Sequence, residues 1–81
     1  MKNITYRPKG TCSQLIDIDV DDGVIKKVEY TGGCPGNLLA IGVLVKDMPV
    51  NEAIKKLDGI KCGNKKTSCA DQLAQALKTV Y

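Results

Sequence analysis

Residues 12–30 read CSQLIDIDVDDGVIKKVEY and carry the clearest structural signal in the chain. Isoleucine or valine alternates with aspartate over residues 16–21, which is the period of a β-strand with one apolar and one hydrated face. Asp22-Gly23 is a turn signal, and residues 24–30 resume the same period. The stretch therefore predicts a β-hairpin and, with it, an antiparallel sheet.

The length of the turn sets which residues pair across this hairpin. A two-residue loop would oppose isoleucines to charged residues, whereas a three-residue loop over residues 21–23, with a bulge at the glycine, opposes apolar residues to one another. We expect the three-residue loop, which pairs Ile16 with Val28. Continued outward, this register places Cys12 opposite Gly32 and brings the first two cysteines to the same end of the hairpin.

Three helices are predicted after the hairpin. The apolar run over residues 38–45, introduced by Pro-Gly-Asn, predicts a buried helix. A second, short helix is expected to have Asn51 as its N-cap and to end at Gly59. Thr67 or Ser68 is expected to cap the third helix, in which four residues form one apolar stripe. The stripe consists of Leu73, Ala76, Leu77 and Val80.

Strands precede helices in this order, and a further short strand over residues 4–6 is predicted before Pro8. The order is typical of an α+β domain, here a small antiparallel sheet of about three strands with about three helices packed on one face. The length predicts a single domain over residues 1–81. Its core is small, because a chain of this size buries only about 60–65% of the surface of its unfolded form. A bound metal would therefore contribute to folding.

Composition excludes several classes of function. The formal net charge is only +3 and the lysines are scattered, with no Trp or Phe to stack on bases, so nucleic-acid binding is not expected. The N-terminus lacks the apolar segment of a secretory signal, and the run over residues 38–45 is too short to span a membrane. We expect a cytoplasmic protein, in which cysteines serve metal binding or redox chemistry more often than structural disulfides.

The chain has no histidine and four cysteines, each at a predicted joint between elements. They are Cys12, Cys34, Cys62 and Cys69. Four thiolates around one tetrahedral ion form a closed zinc site, and the same ligands can hold an iron–sulfur cluster. Redox-active pairs and inert buried thiols are the alternatives that the spacing leaves open.

Local features favour the thiolate form and close packing of these loops. Cys69 is expected in the first turn of the last helix, where the helix dipole, with Lys65 and Lys66 nearby, lowers the pKa of the thiol. Glycines beside the cysteines would let the backbone approach a shared centre. These are Gly32, Gly33, Gly36 and Gly63.

The segment Thr67–Asp71 reads TSCAD, and with GGCPGN at residues 32–37 and CGNKKTSCADQLAQAL at residues 62–77 it closely resembles the TSCPD domain. That family takes its name from this motif, and here Ala70 stands where the name has proline. The resemblance covers nearly the whole chain and includes all four cysteines. Such domains occur as free-standing small proteins and at the C-terminus of adenosylcobalamin-dependent ribonucleotide reductases.

A looser resemblance is to the NifU/IscU-type iron–sulfur scaffold, in which a hairpin, a glycine turn and a final helix carry cysteines in the same order. Cys12, Cys34 and Cys69 match the scaffold's cysteines by position. The scaffold's acidic residue two positions after the first cysteine is here Gln14, and Cys62 is an addition. A missing acidic ligand and a fourth thiolate favour a closed metal site over a cluster-transfer site. Both resemblances imply an α+β, IscU-like fold with converging cysteines.

The TSCPD resemblance implies an association with ribonucleotide reduction, and hence with an oxidoreductase of DNA precursor synthesis. The chain is too small to enclose a radical cofactor and a substrate, so we expect an accessory module and not an enzyme acting alone. The expected cofactor is zinc held by all four cysteines, with an iron–sulfur cluster as the alternative. The expected partner is a ribonucleotide reductase or a thiol-redox protein. A thiol relay that serves such a reductase is the alternative function.

Overall fold

The structure, a computed structural model, describes residues 2–11, 13–33, 35–61 and 63–80. The elements follow one another along the chain as three strands and then three helices. The strands are β1 (Lys2–Tyr6), β2 (Ser13–Asp21) and β3 (Val24–Gly32). The helices are α1 (Pro35–Val45), α2 (Val50–Leu57) and α3 (Cys69–Lys78). This order confirms the α+β prediction.

The strands form one antiparallel sheet with β2 in the centre. The alternation in β2 buries one face of the strand, while Asp17 and Asp19 lie on the opposite, hydrated face and both accept hydrogen bonds from the Asn3 amide at 2.7 Å. The buried face packs against the helices in a single core. Its fully buried large side chains are Ile16, Ile18, Val20, Ile25, Val50, Leu73 and Leu77.

The predicted register of the hairpin is wrong. Asp21 pairs with Val24, so the loop has two residues, Asp22 and Gly23, both with positive φ. Val20 pairs with Ile25 while Asp19 pairs with Lys27, so the register shifts by one residue between these two pairs. Because of this shift, apolar residues of β2 again lie opposite apolar residues of β3. The irregularity therefore lies within the strands, beyond the turn glycine at which the bulge is expected from the sequence.

The shift also changes the end of the hairpin. Ile16 pairs with Tyr30 instead of Val28, and Ser13 instead of Cys12 is the residue opposite Gly32. A second irregularity lies between Ser13 and Leu15. Cys12 itself lies outside the described residues.

Helix α1 forms where it was predicted, but it is not buried all round. Leu38 and Val45 are buried, whereas Leu39, Val43 and Leu44 are 71%, 67% and 72% exposed. The helix packs on β3 along only one side, and no charged residue marks its outer side in the sequence. An apolar run therefore did not distinguish a helix enclosed by protein from one with a single covered face.

Truncation of two neighbouring leucines of α1 should change the stability of the protein by very different amounts. We expect Leu38→Ala to lower the free energy of unfolding by about 2–3 kcal/mol, because it removes a buried side chain. Leu39→Ala should change it by less than about 0.5 kcal/mol, because that side chain is already mostly in water. Urea unfolding of the two variants under reducing conditions measures the difference. Equal losses would contradict the placement of α1.

The segment between α1 and α2 lies along the outer edge of β3. The Ile25 N–H donates to the Met48 carbonyl at 2.9 Å, and the Ile25 carbonyl accepts from the Asp47 N–H at 2.7 Å. Helix α2 then begins after Pro49 with no side-chain cap, so the prediction of Asn51 as the N-cap is wrong. The fixed φ of proline directs the chain into the first turn without a capping side chain.

Helix α3 agrees closely with its prediction. Ser68 is the N-cap, and its hydroxyl accepts the Asp71 N–H at 3.0 Å. Leu73, Ala76 and Leu77 are fully buried, while Val80 lies beyond the helix and is 38% exposed. Among the described residues, no helix is both long enough and apolar enough to cross a membrane.

Candidate functional site around Cys69

Of the four predicted ligands, Cys69 is described, and Cys12, Cys34 and Cys62 lie outside the described residues. Cys69 is half-buried and is the first residue of α3. At that position the positive end of the helix dipole favours a thiolate over a thiol. The described part of the chain contains no group of three His, Cys, Asp or Glu side chains able to hold a metal ion.

The Cys69 side chain meets the end of the sheet at Ser13. The Ser13 hydroxyl lies 3.3 Å from the Cys69 Sγ and 3.1 Å from the Thr11 hydroxyl. Ser13 is buried and pairs across the hairpin with Gly32. Ser13 therefore links the end of β3, through strand pairing, to the start of α3, through its hydroxyl group.

Tyr30 supports the same helix end from the sheet. Its hydroxyl donates to the Cys69 backbone carbonyl at 3.0 Å. Burial raises the pKa of the Tyr30 phenol well above its ordinary value of 10.0, and the negative charge of a Cys69 thiolate raises it further. Tyr30 is consequently a neutral donor that holds the backbone of Cys69, and it does not exchange protons near neutral pH.

A shallow cleft of about 440 Å³ opens beside this corner of the fold, between β3 and α1. It is lined by Val28, Glu29, Tyr30, Gly32, Gly33, Leu38 and Leu39. Tyr30 thus faces both the cleft and the start of α3. The cleft ends at the glycine pair that precedes Cys34 in the sequence.

The loop before α3 is tied to the helix by two polar side chains. The Ser68 hydroxyl donates to the Ile60 carbonyl at 2.7 Å, and the Asp71 carboxylate accepts the Gly59 N–H at 2.7 Å. Asp71 also accepts the Thr67 hydroxyl and the Gln75 amide. Both ends of the loop that contains Cys62 are therefore bonded to the first turn of α3.

The N-terminal loop is tied to the same turn by Gln72. Its side-chain carbonyl accepts the Lys9 N–H at 3.1 Å, and its amide donates to the Thr67 hydroxyl at 2.9 Å. Gly10 has a φ of 75°, and a Cβ at that position would lie 3.1 Å from the Thr67 methyl group. The chain entering Cys12 therefore packs closely on the residue that begins the TSCAD motif.

The predicted roles of the glycines and lysines are only partly supported. Gly32, Gly33 and Gly63 have positive φ, which accounts for glycine at those positions. Gly36 is helical, and a Cβ there or at Gly63 would meet none of the described atoms within 4 Å, so neither residue serves close approach to a described group. Lys65 and Lys66 are exposed, and their effect on a thiol stays a prediction.

Asp71 is a buried carboxylate whose charge is stabilised by its neighbours. Burial acts to raise its pKa, but hydrogen bonds from Thr67, Gly59 and Gln75, with the charge of Lys78, outweigh that effect and hold the pKa below the ordinary value of 3.8. Because the folded state favours the ionised form, Asp71 stabilises the fold fully at pH values well above 3.8. This stabilisation is lost as pH falls through the lowered pKa of the folded state.

Asp71→Asn should therefore show a pH-dependent cost. At pH 7 we expect a loss of about 1–2 kcal/mol in the free energy of unfolding, because charge-assisted hydrogen bonds become neutral ones. The difference from the wild type should shrink as pH falls below 3.8 and through the lowered pKa of the folded state, because the wild-type carboxylate then also becomes neutral. Denaturant unfolding at pH 7, 5 and 3 measures it. A difference that stays constant over this range would contradict the role of the charge.

The TSCAD motif thus combines a helix cap, a thiol at the first helical position and a buried carboxylate, within a chain whose three strands precede three helices. The family model of the TSCPD domain matches residues 2–81. This chain belongs to the TSCPD domain family. Neither a curated protein nor a solved structure matches the sequence.

In this TSCPD domain, Cys69 and a helix cap at Thr67 or Ser68 are predictable from the sequence, whereas Asp71 and Gln72 were not predicted as residues of the site. Both are buried, at 7% and 8% exposure, although they are polar. Two adjacent polar residues on the helix that carries the apolar stripe were a usable signal, because polar groups that become buried need specific partners. The partners themselves, Gly59 and Lys9, are distant in sequence and could not be identified from it.

Proposed function

We propose that this TSCPD domain is a cytoplasmic, zinc-binding accessory module in which Cys12, Cys34, Cys62 and Cys69 hold one metal ion, and that it serves ribonucleotide reduction. Membership of the TSCPD family supports the association with a reductase. The chain provides a small sheet and three helices, which suit a docking or regulatory module and not a chamber for radical chemistry.

One set of contacts carries the proposal, because it joins described residues within two positions of every cysteine. Ser13 follows Cys12 and touches the Cys69 Sγ at 3.3 Å. Ser13 also pairs with Gly32, two positions before Cys34.

The same holds at the other two cysteines. Ile60, two positions before Cys62, accepts a hydrogen bond at 2.7 Å from Ser68, the residue before Cys69. These contacts bring together, at one corner of the fold, described residues that lie next to or two positions from each cysteine. This supports a single shared site.

The donor set suits zinc. Four thiolates and no imidazole form the closed Cys₄ arrangement of structural zinc sites, in which bound zinc would hold the loops together and supply folding free energy. The described thiol lies at a helix N-terminus beside the Ser13 hydroxyl, which can donate to a thiolate, and both features would favour that form. The Ser13 hydroxyl would then donate to the sulfur as a supporting partner of a ligand.

Metal analysis of the freshly purified protein tests the proposal. We expect about one zinc per chain by mass spectrometry, with all four thiols protected from a thiol reagent until a chelator is added. Protein expressed in iron-rich medium and reconstituted anaerobically with iron and sulfide should show no visible absorption band of a cluster. A stable cluster with full occupancy would instead identify an iron–sulfur carrier.

A thiol relay is the second candidate, and the position of Cys69 favours it. A half-buried thiol at the first residue of a helix is a typical nucleophile in thiol–disulfide exchange. The relay requires two cysteines that form a reversible disulfide, which a closed zinc site prevents. Metal-free protein with reactive thiols, and a disulfide that a thiol-redox protein reduces, would favour the relay over the zinc module.

A further inference from the structure

Thr67 is the centre of a hydrogen-bonded unit of described side chains that does not include Cys69. Its hydroxyl donates to the Asp71 carboxylate and accepts from the Gln72 amide at 2.9 Å. We call Thr67, Asp71 and Gln72 the polar clamp. Asp71 and Gln72 are buried and Thr67 is half-buried, so water competes little with their mutual hydrogen bonds.

The polar clamp has two arms, and each ends on the backbone of a different loop. Gln72 accepts the Lys9 N–H at 3.1 Å, three positions before Cys12. Asp71 accepts the Gly59 N–H at 2.7 Å, three positions before Cys62. Because each bond holds a backbone N–H group, it fixes the position of the main chain three residues before the cysteine.

Two packing features strengthen this arrangement. A Cβ at Gly10 would lie only 3.1 Å from the Thr67 methyl group, so the N-terminal loop is in close contact with the clamp. On the other side, Gln75 donates to both Asp71 and Asp58, at 3.2 and 3.0 Å, which extends the network along the Cys62 loop. No buried side-chain nitrogen or oxygen among the described residues lacks a hydrogen-bond partner.

We infer that the polar clamp is the positioning device of the domain: it fixes the loops that lead to Cys12 and Cys62 around Cys69 before any metal binds. This inference rests on the proposed zinc site for its functional consequence. It assigns a role to the threonine and aspartate of the TSCAD motif, and to the glutamine that follows, as residues that act through the loops and do not touch the metal.

Preorganisation has two measurable consequences. The reduced, metal-free protein should keep both loop anchors, so the Lys9 and Gly59 amides should be protected from hydrogen exchange without zinc. Weakening the clamp should also lower zinc affinity, since supporting partners of metal ligands typically contribute about 10–100-fold.

Thr67→Val is the decisive variant, because valine keeps a methyl group to face Gly10 while removing the hydroxyl from both arms. We expect zinc affinity, measured by competition with a chromophoric chelator, to fall by about tenfold or more. In the metal-free state, exchange at the Lys9 and Gly59 amides should be about fivefold faster or more, as for the loss of a typical hydrogen bond.

Three further variants separate positioning from general destabilisation. Thr67→Ser restores the hydroxyl and should return zinc affinity and exchange close to the wild type. Gln72→Met removes one arm, and should accelerate exchange at Lys9 more than at Gly59. Val50→Ala destabilises the core in α2 and should leave zinc affinity unchanged.

The two proposals fail differently. A wild-type protein that binds no zinc would overturn the proposed function, and the exchange rates of the metal-free variants would still decide the clamp. Unchanged exchange at both amides in Thr67→Val would overturn the clamp. Wild-type zinc affinity in Thr67→Val, in a protein that does bind zinc, would overturn its positioning role.

Discussion

Cys62→Ser is expected to lose zinc, with an affinity at least about 100-fold below that of the wild type. Structural zinc sites typically gain about 10–16 kcal/mol from four ligands, so one thiolate corresponds to about 3 kcal/mol. A serine hydroxyl is a poor substitute because it stays protonated near neutral pH. Cys62 is also the cysteine that the iron–sulfur scaffold pattern lacks, so this variant separates a four-thiolate site from a three-cysteine one.

Chelator competition and zinc content of the purified variant measure this effect. Asn64→Ser is the matched control, because it places serine at an exposed position of the same loop and should keep one zinc per chain. Cys62→Ser with wild-type zinc affinity would show that the fourth thiol is not a ligand. In that case the three cysteines shared with the scaffold would become the candidate ligand set.

The second large effect is expected at Gly42, where α1 crosses β3. A Cβ on Gly42 would lie 2.9 Å from the Val28 carbonyl oxygen, which is closer than such contacts normally occur. The obstructing atom belongs to the backbone of a strand and cannot move without disturbing the sheet. Gly42→Val should therefore push the helix away from β3 and cost about 2–4 kcal/mol of unfolding free energy.

Thermal unfolding under reducing conditions measures this cost, which corresponds to a fall in Tm of about 4–8 °C per kcal/mol for a domain of this size. Gly36→Ala in the same helix is the control, because a Cβ there meets no described atom. That variant should be neutral or more stable by up to about 1 kcal/mol, as expected from helix propensity. Similar destabilisation of both variants would contradict the close crossing of α1 and β3.

Strands and helices were predictable from the sequence where a pattern of side chains is compatible with a single kind of local structure. Alternating isoleucine and aspartate in β2 predicted a half-buried strand, and the position before an apolar stripe limited the cap to Thr67 or Ser68, of which the structure shows Ser68. The turn register was not predictable in this way. Two loop lengths satisfied the turn chemistry, and the hairpin corrected the mismatch with an irregularity between the Asp19 and Val20 pairs that no local signal marks.

Helix α1 shows a second limit of the sequence. Its apolar residues predicted the helix correctly, but burial depends on what packs around it. In the described part of the chain α1 packs against β3, while Leu39, Val43 and Leu44 stay exposed. The site shows a third. Cys69 and its cap could be identified from the motif, whereas the bonds from Asp71 to Gly59 and from Gln72 to Lys9 depend on tertiary contacts.

X-ray absorption at the zinc edge, on protein purified with its metal, tests the central claim most directly. The four-cysteine site predicts one zinc per chain with a first shell of four sulfur atoms at about 2.3 Å and no nitrogen or oxygen ligand. A shell that contains oxygen or nitrogen, or a protein that holds no zinc while its thiols react freely, would contradict the claim that the four cysteines form one metal site.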